Sequence, residues 1–338
     1  MRAAYYESTG SPDVVRVGDL PTPAPALGQV RVRVRAAALN PVDAYLRAGL
    51  VAMPLPFPFV TGSDFAGTVD AVGDGVAGFA VGDRVWGSNQ GLLGRQGTFA
   101  EFVCPPAEYV YPLPAGVPFE AAAAGALTGI SAHLGLFRRA RLVAGDTVFV
   151  NGGTGGVGSM VVQMAKAVGA RVACTVGSGE KAEVAKRLGA DAVLNYKADD
   201  VTAGVLAFTG GAGVNVYYET QPPMDLDAVV ARTAADGRVV VMAGRAARPV
   251  LPNGPFYVKG LSLVGFAMFN SPPAEQRACA VDIGRWLGEG KLTPLIGRTF
   301  PLAEAAAAHR LQDDNTLGKA GTLTGKIVVV PEGSADYG

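Results

Sequence analysis

The stretch that decides the fold is TVFVNGGTGGVG, residues 147–158. An apolar run at 147–150 is followed by a G-x-G-x-x-G pattern made of Gly153, Thr154, Gly155, Gly156, Val157 and Gly158. Apolar residues then recur at helical spacing as far as Val168. A strand, a glycine turn and a helix in this order indicate a dinucleotide-binding site, because the helix N-terminus favours the pyrophosphate. The alternative interpretation is a flexible turn between a strand and a helix.

Six apolar runs, separated by helical patterns, begin at this stretch. They are residues 147–150, 171–176, 192–194, 214–218, 238–242 and 261–264. Continuous apolarity indicates strands that are buried on both faces, and a helix between successive strands indicates right-handed crossovers. The runs therefore predict a Rossmann domain, a doubly wound parallel sheet built from two mononucleotide-binding halves.

The N-terminal part of the chain has a different pattern. Short β-type runs at 30–35, 67–72, 83–86 and 99–103 are broken by Pro and Gly, which predicts a compact β-barrel or sandwich with little helix. After a helix from Ser271-Pro272-Pro273 to about Leu287, the β run 326–330 is expected to rejoin this first domain. We expect an α/β protein whose domains are residues 1–122 with 266–338, and residues 123–265.

The bulk composition limits the possible functions. Of 338 residues, 49% are hydrophobic, and 29 Lys and Arg balance 29 Asp and Glu, so a nucleic-acid surface is not expected. No apolar run approaches the roughly 18 residues needed to span a membrane, and the N-terminus lacks the apolar segment of a signal peptide. Three distant cysteines predict no disulfide framework, so a reducing cytoplasm is the expected location.

The end of the second strand of the predicted sheet bears on the choice of coenzyme. NAD-binding folds place an Asp or Glu there for the ribose 2′-hydroxyl, whereas this chain has Gly177-Ser178. Lys181 offers a positive charge and Tyr196 a hydroxyl, a combination that suits the 2′-phosphate of NADPH. Two alternatives remain open: Lys181 is a solvated helix residue, or Glu180 turns towards a ribose.

Several separated motifs occur in a family-specific order. They are ALNPVDAYLRAG at 38–49, TGSDFAG at 61–67, VGDRV at 81–85, AGDTV at 144–148, the glycine turn, TVGS at 175–178 and TGKIV at 324–328. Over essentially the whole chain they resemble the zinc-independent medium-chain dehydrogenase/reductase family, in the quinone oxidoreductase or zeta-crystallin branch. The resemblance implies a GroES-like β-barrel catalytic domain, a Rossmann domain, a cleft between them, NADPH as coenzyme, and a homodimer or homotetramer.

The resemblance also implies roles for particular residues. The cleft near the nicotinamide is lined by Asn40, Asp43, Tyr45 and Arg47. The adenosine-phosphate end is bound by Gly153 to Gly158, Gly177, Ser178, Lys181 and Tyr196. Gly244, Arg245, Phe266, Ala267 and Met268 lie along the coenzyme. This chain departs from the family at Val51 in place of a cleft tyrosine, at Glu219-Thr220-Gln221-Pro222-Pro223 after the fourth strand, and at His133 in place of tyrosine.

Zinc-dependent relatives need Cys, His and often Glu around the cleft, together with a four-cysteine lobe. This chain has two His and three Cys, and none of them stands at a ligand position. The usual Cys is replaced within Asn40-Pro41-Val42-Asp43, and the usual Gly-His-Glu is Gly62-Ser63-Asp64. No metal is expected.

The absence of a Lewis acid narrows the substrate class. Without a metal or an evident Ser-Tyr-Lys set, a plain ketone is a poor hydride acceptor, whereas a quinone or enone is intrinsically electrophilic. Asn40, Tyr45 and Arg47 are candidate hydrogen-bond donors to the oxygen on which charge develops. Asp43 either orients Arg47 or belongs to the barrel, and structural roles for all four residues remain open.

Three functions are compatible with these features. The first is an NADPH-dependent quinone oxidoreductase. The second is an NADPH-dependent alkenal, enone or enoyl-thioester reductase that uses the same site. The third is a catalytically idle, zeta-crystallin-like protein that binds NADPH and contacts RNA, against which the neutral charge balance argues.

Overall fold

A computed structural model of the chain describes residues 1–222 and 224–331; Pro223 and residues 332–338 lie outside the described part. The strands are β1 (Arg2–Tyr6), β2 (Arg16–Asp19), β3 (Val30–Leu39), β4 (Phe59–Val60), β5 (Asp64–Val72), β6 (Arg84–Gly87), β7 (Phe102–Val103), β8 (Val110–Pro112), β9 (Thr147–Asn151), β10 (Arg171–Val176), β11 (Ala192–Asn195), β12 (Val214–Glu219), β13 (Thr233–Val241), β14 (Ser262–Gly265), β15 (Ile296–Pro301) and β16 (Lys326–Val330). The helices are α1 (Pro41–Arg47), α2 (Phe119–His133), α3 (Gly156–Ala167), α4 (Gly179–Arg187), α5 (Val201–Phe208), α6 (Leu226–Arg232), α7 (Asn253–Val258), α8 (Pro273–Gly288) and α9 (Ala305–Thr316).

The chain divides into two compact units. The first unit consists of Met1–Leu127, Pro272–Gly290 and Pro294–Gly338. The second unit consists of Thr128–Ser271 and Lys291–Thr293. Each unit has its own sheets.

The second unit contains a six-stranded parallel sheet in the order β11-β10-β9-β12-β13-β14. The order reverses between β9 and β12, which is the topological switch point of a doubly wound sheet. The predicted Rossmann sheet is therefore confirmed. The largest difference from the predicted boundaries is at β13, which begins at Thr233 and not at 238, because Thr233 pairs with Val214 ahead of a register shift.

The first unit contains a mainly antiparallel sheet in the order β15-β16-β3-β5-β6-β8, with β7 on β3, and a smaller sheet in the order β2-β1-β4. This arrangement confirms the predicted β-rich, GroES-like fold. Strand β16 pairs antiparallel with β3, so the C-terminal run does rejoin the first unit. The core of the unit is formed by the inward residues of these strands, among them Val30, Val32 and Val34.

Three predicted strands of the first unit have different lengths in the structure. Strand β5 begins at Asp64, not at 67, because residues 64–66 pair with β3. Strand β3 continues past residue 35 to Leu39, because its second half, although rich in alanine, is paired on both sides by β5 and β16. The predicted strand at 99–103 is reduced to Phe102–Val103. Phe99 lies instead in the segment before β7. Its side chain is buried, and its backbone N–H donates to the carbonyl of Thr61 at 2.9 Å.

Among residues 1–222 and 224–331, no helix combines the length and apolar character that crossing a membrane requires.

Candidate functional site

The glycine turn joins β9 to α3 at the carboxyl edge of the parallel sheet. Two of its glycines are sterically required: a Cβ on Gly153 would stand 2.5 Å from the Cys174 sulfur, and one on Gly158 would stand 2.0 Å from the Gly152 carbonyl oxygen. Gly155 is the N-cap of α3, and the nearest atom to a Cβ added there would be 3.5 Å away. The turn thus packs tightly against the sheet, while one glycine next to the helix N-terminus stays open for a ligand.

The other residues predicted to bind the coenzyme gather at the same edge. Because parallel strands end together, the segments that follow β10, β11, β13 and β14 all emerge where the glycine turn does. These segments carry Gly177 and Ser178, Tyr196, Gly244 and Arg245, and Phe266 with Ala267 and Met268. Tyr196 and Arg245 are exposed, whereas Met268 is buried. The predicted set is therefore assembled on one unit.

The tips of β10 and β11 pack closely together. The Ser178 side chain caps α4 by accepting the backbone N–H of Lys181 at 3.3 Å. A Cβ on Gly177 would stand 2.6 Å from the Tyr196 hydroxyl oxygen. Partial burial, and secondly the ammonium of Lys197, lower the pKa of Lys181. Lys197 was not identified from the sequence, although it directly follows Tyr196. Two ammonium groups therefore stand near a strand tip that lacks a carboxylate.

The four residues predicted to be catalytic belong to the first unit and differ sharply in exposure. Asn40 and Arg47 are fully buried, and Asp43 is 2% exposed. Only Tyr45 is partly exposed. All four lie on or next to α1, which begins after the N-cap Asn40 and has Pro41 at its first position.

Asn40 is held by a buried ion pair. Its amide nitrogen donates to the Asp64 carboxylate at 2.8 Å, and its amide oxygen accepts from the Lys326 ammonium. That ammonium also donates to the Leu39 carbonyl and lies 3.9 Å from Asp64. Burial raises the pKa of Asp64 and lowers that of Lys326. Asp64 further accepts the Ser88 hydroxyl at 2.6 Å and the Leu127 backbone N–H at 3.1 Å. The Asn40 amide is thus fixed in one orientation.

Asp43 belongs to the same buried network and does not orient Arg47. It accepts the Ser63 hydroxyl and, at 2.8 Å, the backbone N–H of Asn40. Burial raises the pKa of Asp43 to about 7. Arg47 instead donates to the Gly10 carbonyl and to the carboxylate of Asp313 on α9. The structure therefore separates two residues that the sequence allowed to be partners.

The segments in which the sequence predicts replaced zinc ligands carry Asn40, Ser63 and Asp64, and the Lys326 ammonium lies against Asn40 and Asp64. Within the described ranges, no cluster of three or more His, Cys, Asp or Glu side chains is arranged to hold a metal. Cys174 and Cys279 are buried and Cys104 is half-buried. His309 is buried with its Nε2 3.2 Å from the Thr61 hydroxyl, and burial lowers its pKa to about 3.

Comparison with known proteins covers both units. Residues 26–115 match the family described as alcohol dehydrogenase GroES-like domain, and residues 156–283 match the family described as zinc-binding dehydrogenase. The quinone oxidoreductase of Rattus norvegicus is 33% identical over 94% of this chain and 96% of its own. Two solved structures are similar over 98% of this chain. One, described as an NAD-dependent alcohol dehydrogenase, is 35% identical with a TM-score of 0.87 over 99% of its own chain. The other, a mycobacterial protein complexed with NADPH, is 33% identical with a TM-score of 0.85 over 100% of its own chain.

This chain belongs to the medium-chain dehydrogenase/reductase family, in the quinone oxidoreductase branch. It is therefore an oxidoreductase.

In this family member, sequence reasoning missed two buried charged groups. Lys326 opens the C-terminal apolar run, and only its place in TGKIV distinguished it from a surface lysine. Glu219 belongs to a segment that departs from the family pattern, and the sequence indicates no role for it. In the structure Glu219 is 2% exposed at the end of β12, and burial raises its pKa to about 7. The sequence around Lys326 and Glu219 does not predict their burial, because Asn40 and Asn151, which they contact, lie on segments distant in sequence.

Proposed function

We propose that this oxidoreductase reduces a quinone with hydride from NADPH and works without zinc. The observation that carries the proposal is the Lys326 ammonium, which lies against Asn40 and Asp64 at positions that, with Ser63, replace the expected zinc ligands. Zinc prefers thiolate and imidazole ligands, and these positions offer an amide, a hydroxyl and a carboxylate that already faces a cation. With no metal to polarise a carbonyl, the acceptor must itself be electrophilic.

The coenzyme is NADPH, which supplies the hydride when it is bound. The glycine turn and the α3 N-terminus offer backbone N–H groups to its pyrophosphate. Lys181, Lys197 and the Ser178 hydroxyl suit the 2′-phosphate, which also relieves the repulsion between the two ammonium groups. A carboxylate at the tip of β10 would oppose that phosphate, and the tip has none.

Tyr45 is the residue we propose to contact the acceptor. It is the member of the predicted catalytic set that keeps an exposed surface, while Asn40, Asp43 and Arg47 are enclosed by protein partners. Its hydroxyl is suited to donate a hydrogen bond to the oxygen on which charge develops during reduction. The three enclosed residues hold α1 in place and, through it, the position of Tyr45.

The substrate class is tested by oxidation of NADPH with 9,10-phenanthrenequinone, 1,4-benzoquinone and a series of 2-alkenals. We expect turnover with the quinones, and a loss of about tenfold in kcat for Tyr45→Phe, as for removal of one hydrogen-bond donor. Tyr5→Phe, on the central strand of the smaller sheet of the same unit, is the matched control. Turnover with 2-alkenals alone would favour the enone reductase, and no turnover with either class would favour a non-catalytic protein.

The coenzyme choice and the metal are tested by direct binding. NADPH should bind about tenfold more tightly than NADH, and Lys181→Ala should remove most of that difference. Lys186→Ala, on the same helix but paired with Glu183, is the control. Metal analysis of the pure protein should find far less than one zinc per chain. Equal affinities for the two coenzymes, or stoichiometric zinc, would contradict the proposal.

A further inference from the structure

We propose that Glu219 is a positioning residue for the dinucleotide, acting on the glycine turn through Asn151 and Thr175. The proposal rests on the assignment of the pyrophosphate to that turn. These side chains stand at the carboxyl ends of three adjacent strands, β12, β9 and β10, on both sides of the switch point. None of the three was singled out by its sequence as a coenzyme residue.

A directed chain of hydrogen bonds links the three side chains to the turn. The Gly152 backbone N–H donates to the Thr175 hydroxyl at 2.9 Å, and that hydroxyl donates to the Asn151 amide oxygen at 2.6 Å. The Asn151 amide nitrogen donates to both Glu219 oxygens, at 2.9 and 3.1 Å. Every hydrogen of this chain of bonds points towards Glu219, and both oxygens of Glu219 accept. The carboxylate therefore sets the orientation of each group before it.

A second set of contacts ties the same residue to the turn. The Gln221 backbone N–H donates to Glu219 at 2.7 Å, and the Thr220 hydroxyl donates to the Asn151 carbonyl at 2.5 Å. A Cβ on Gly152 would stand 2.6 Å from the Gln221 amide nitrogen and 2.8 Å from the Thr220 hydroxyl oxygen. The segment after β12 thus packs directly on the first residue of the turn, which has a φ of 90°. Movement of Glu219 would be transmitted to Gly152 by both routes.

The chain offers a matched control at the amino ends of the strands of the same sheet. Thr147, at the start of β9, donates its hydroxyl to Asn215 at the start of β12 at 2.9 Å, and accepts the Asn215 backbone N–H. This link joins the same two strands by the same kinds of group, but it lies at their amino ends. Breaking it should disturb the sheet to a similar extent without moving the glycine turn.

The test measures NADPH and NADH binding by coenzyme fluorescence, with no acceptor present. We expect Thr175→Val and Glu219→Leu to weaken both coenzymes about tenfold, because each leaves buried N–H groups without an acceptor. Glu219→Gln keeps one oxygen for Asn151 and Gln221 but replaces the other with a donor, so its loss of affinity should be smaller than that of Glu219→Leu. Because the pyrophosphate is common to both coenzymes, the ratio of their affinities should stay constant, whereas Lys181→Ala should change it. In turnover, KM for NADPH should rise while kcat is preserved.

Thr147→Val gives the comparison that decides the matter. The proposal is upheld if Thr147→Val binds both coenzymes like the wild type while Thr175→Val does not. It is overturned if the two valine variants lose affinity equally, or if Thr175→Val binds normally. Thr175→Val is nearly isosteric, so it remains informative if Glu219→Leu does not fold. A failure of quinone turnover leaves these binding results unaffected, so the two proposals fail separately.

Discussion

At Gly155 the helix would be more stable with a capping side chain, whereas a phosphate ligand needs that space to be empty. As the N-cap of α3 it has an extended backbone, φ −73° and ψ 172°, and no side chain to accept an N–H of the first turn. Asp or Ser is the usual choice at this position, and the open Cβ direction leaves room for either. We interpret Gly155 as a residue that makes the helix slightly less stable but keeps its N-terminus clear for a phosphate.

Gly155→Asp tests this interpretation. The new cap and its charge at the positive end of the helix should stabilise the second unit by roughly 0.5 to 1 kcal/mol. The same charge should weaken NADPH binding at least about tenfold by repulsion. Thermal unfolding followed by circular dichroism and a coenzyme titration measure the two effects. Gly155→Ser adds the cap without the charge and serves as control. Unchanged coenzyme affinity in Gly155→Asp would show that the pyrophosphate binds elsewhere.

His309 makes the first unit sensitive to acid. Burial, and secondly the Arg47 charge, lower the pKa of His309 to about 3, from about 6.5 for an unperturbed histidine. Below about pH 6.5 the unfolded chain binds a proton that the folded unit refuses, so stability falls as the pH drops from 6.5 towards 3. The slope is at most about 1.4 kcal/mol per pH unit for one proton. Above pH 6.5 this contribution is complete and constant.

The prediction is checked with His309→Gln, which removes the titrating group and retains a polar side chain. Urea unfolding is followed by tryptophan fluorescence, which reports the first unit because both tryptophans, Trp86 and Trp286, lie there. The advantage of the wild type over the variant should be largest above pH 6.5 and should shrink towards pH 4. A difference that does not change with pH would contradict the assigned pKa.

At the scale of elements, the charged network ties three strands of the first unit together. Lys326 on β16, Asn40 after β3 and Asp64 on β5 lie at the same end of the antiparallel sheet. The charges of Lys326 and Asp64 are buried, so each charge is stabilised by the other. The network holds the start of α1 in place.

Removing one charge should cost more than removing both. Lys326→Met leaves the Asp64 carboxylate buried without its cation and should destabilise the first unit by about 3 to 5 kcal/mol. Adding Asp64→Asn should recover most of that loss. Urea unfolding monitored by tryptophan fluorescence gives each free energy. Lys319→Met, whose side chain is exposed, is the control. If the losses of the two single variants add in the double variant, the ion pair is not the source of stability.

At the scale of the whole molecule, the sheet of the second unit has an edge strand that pairs on one side only among the described strands. Strand β14 ends the sheet, and Leu263 on it is 44% exposed. On α7, which precedes it in the chain, Tyr257 and Val258 are 68% and 75% exposed. Monomeric proteins usually protect such an edge with charge or a covering segment. Together with the family resemblance, this edge supports a homodimer in which a second copy covers it.

Light scattering tests the assembly. The wild type should have twice the mass of one chain, and Leu263→Lys should give the monomer, because a charge on an edge strand opposes pairing with another strand. Val81→Lys changes a valine of the first unit that is 69% exposed, and it should leave the mass unaltered. A monomeric wild type, or a dimer that tolerates Leu263→Lys, would exclude this edge as the interface.

The sequence by itself determined the doubly wound sheet and the edge at which the coenzyme residues gather. This was possible because apolar runs and the spacing of Gly153, Gly155 and Gly158 are local signals, and because parallel strands must end on one side. Only the tertiary structure decided which residue of the set Asn40, Asp43, Tyr45 and Arg47 stays exposed. The deciding partners are Lys326, 286 residues from Asn40, and Asp313, 266 residues from Arg47. Burial and charge compensation at such separations depend on how distant strands pair, and no local pattern records that pairing.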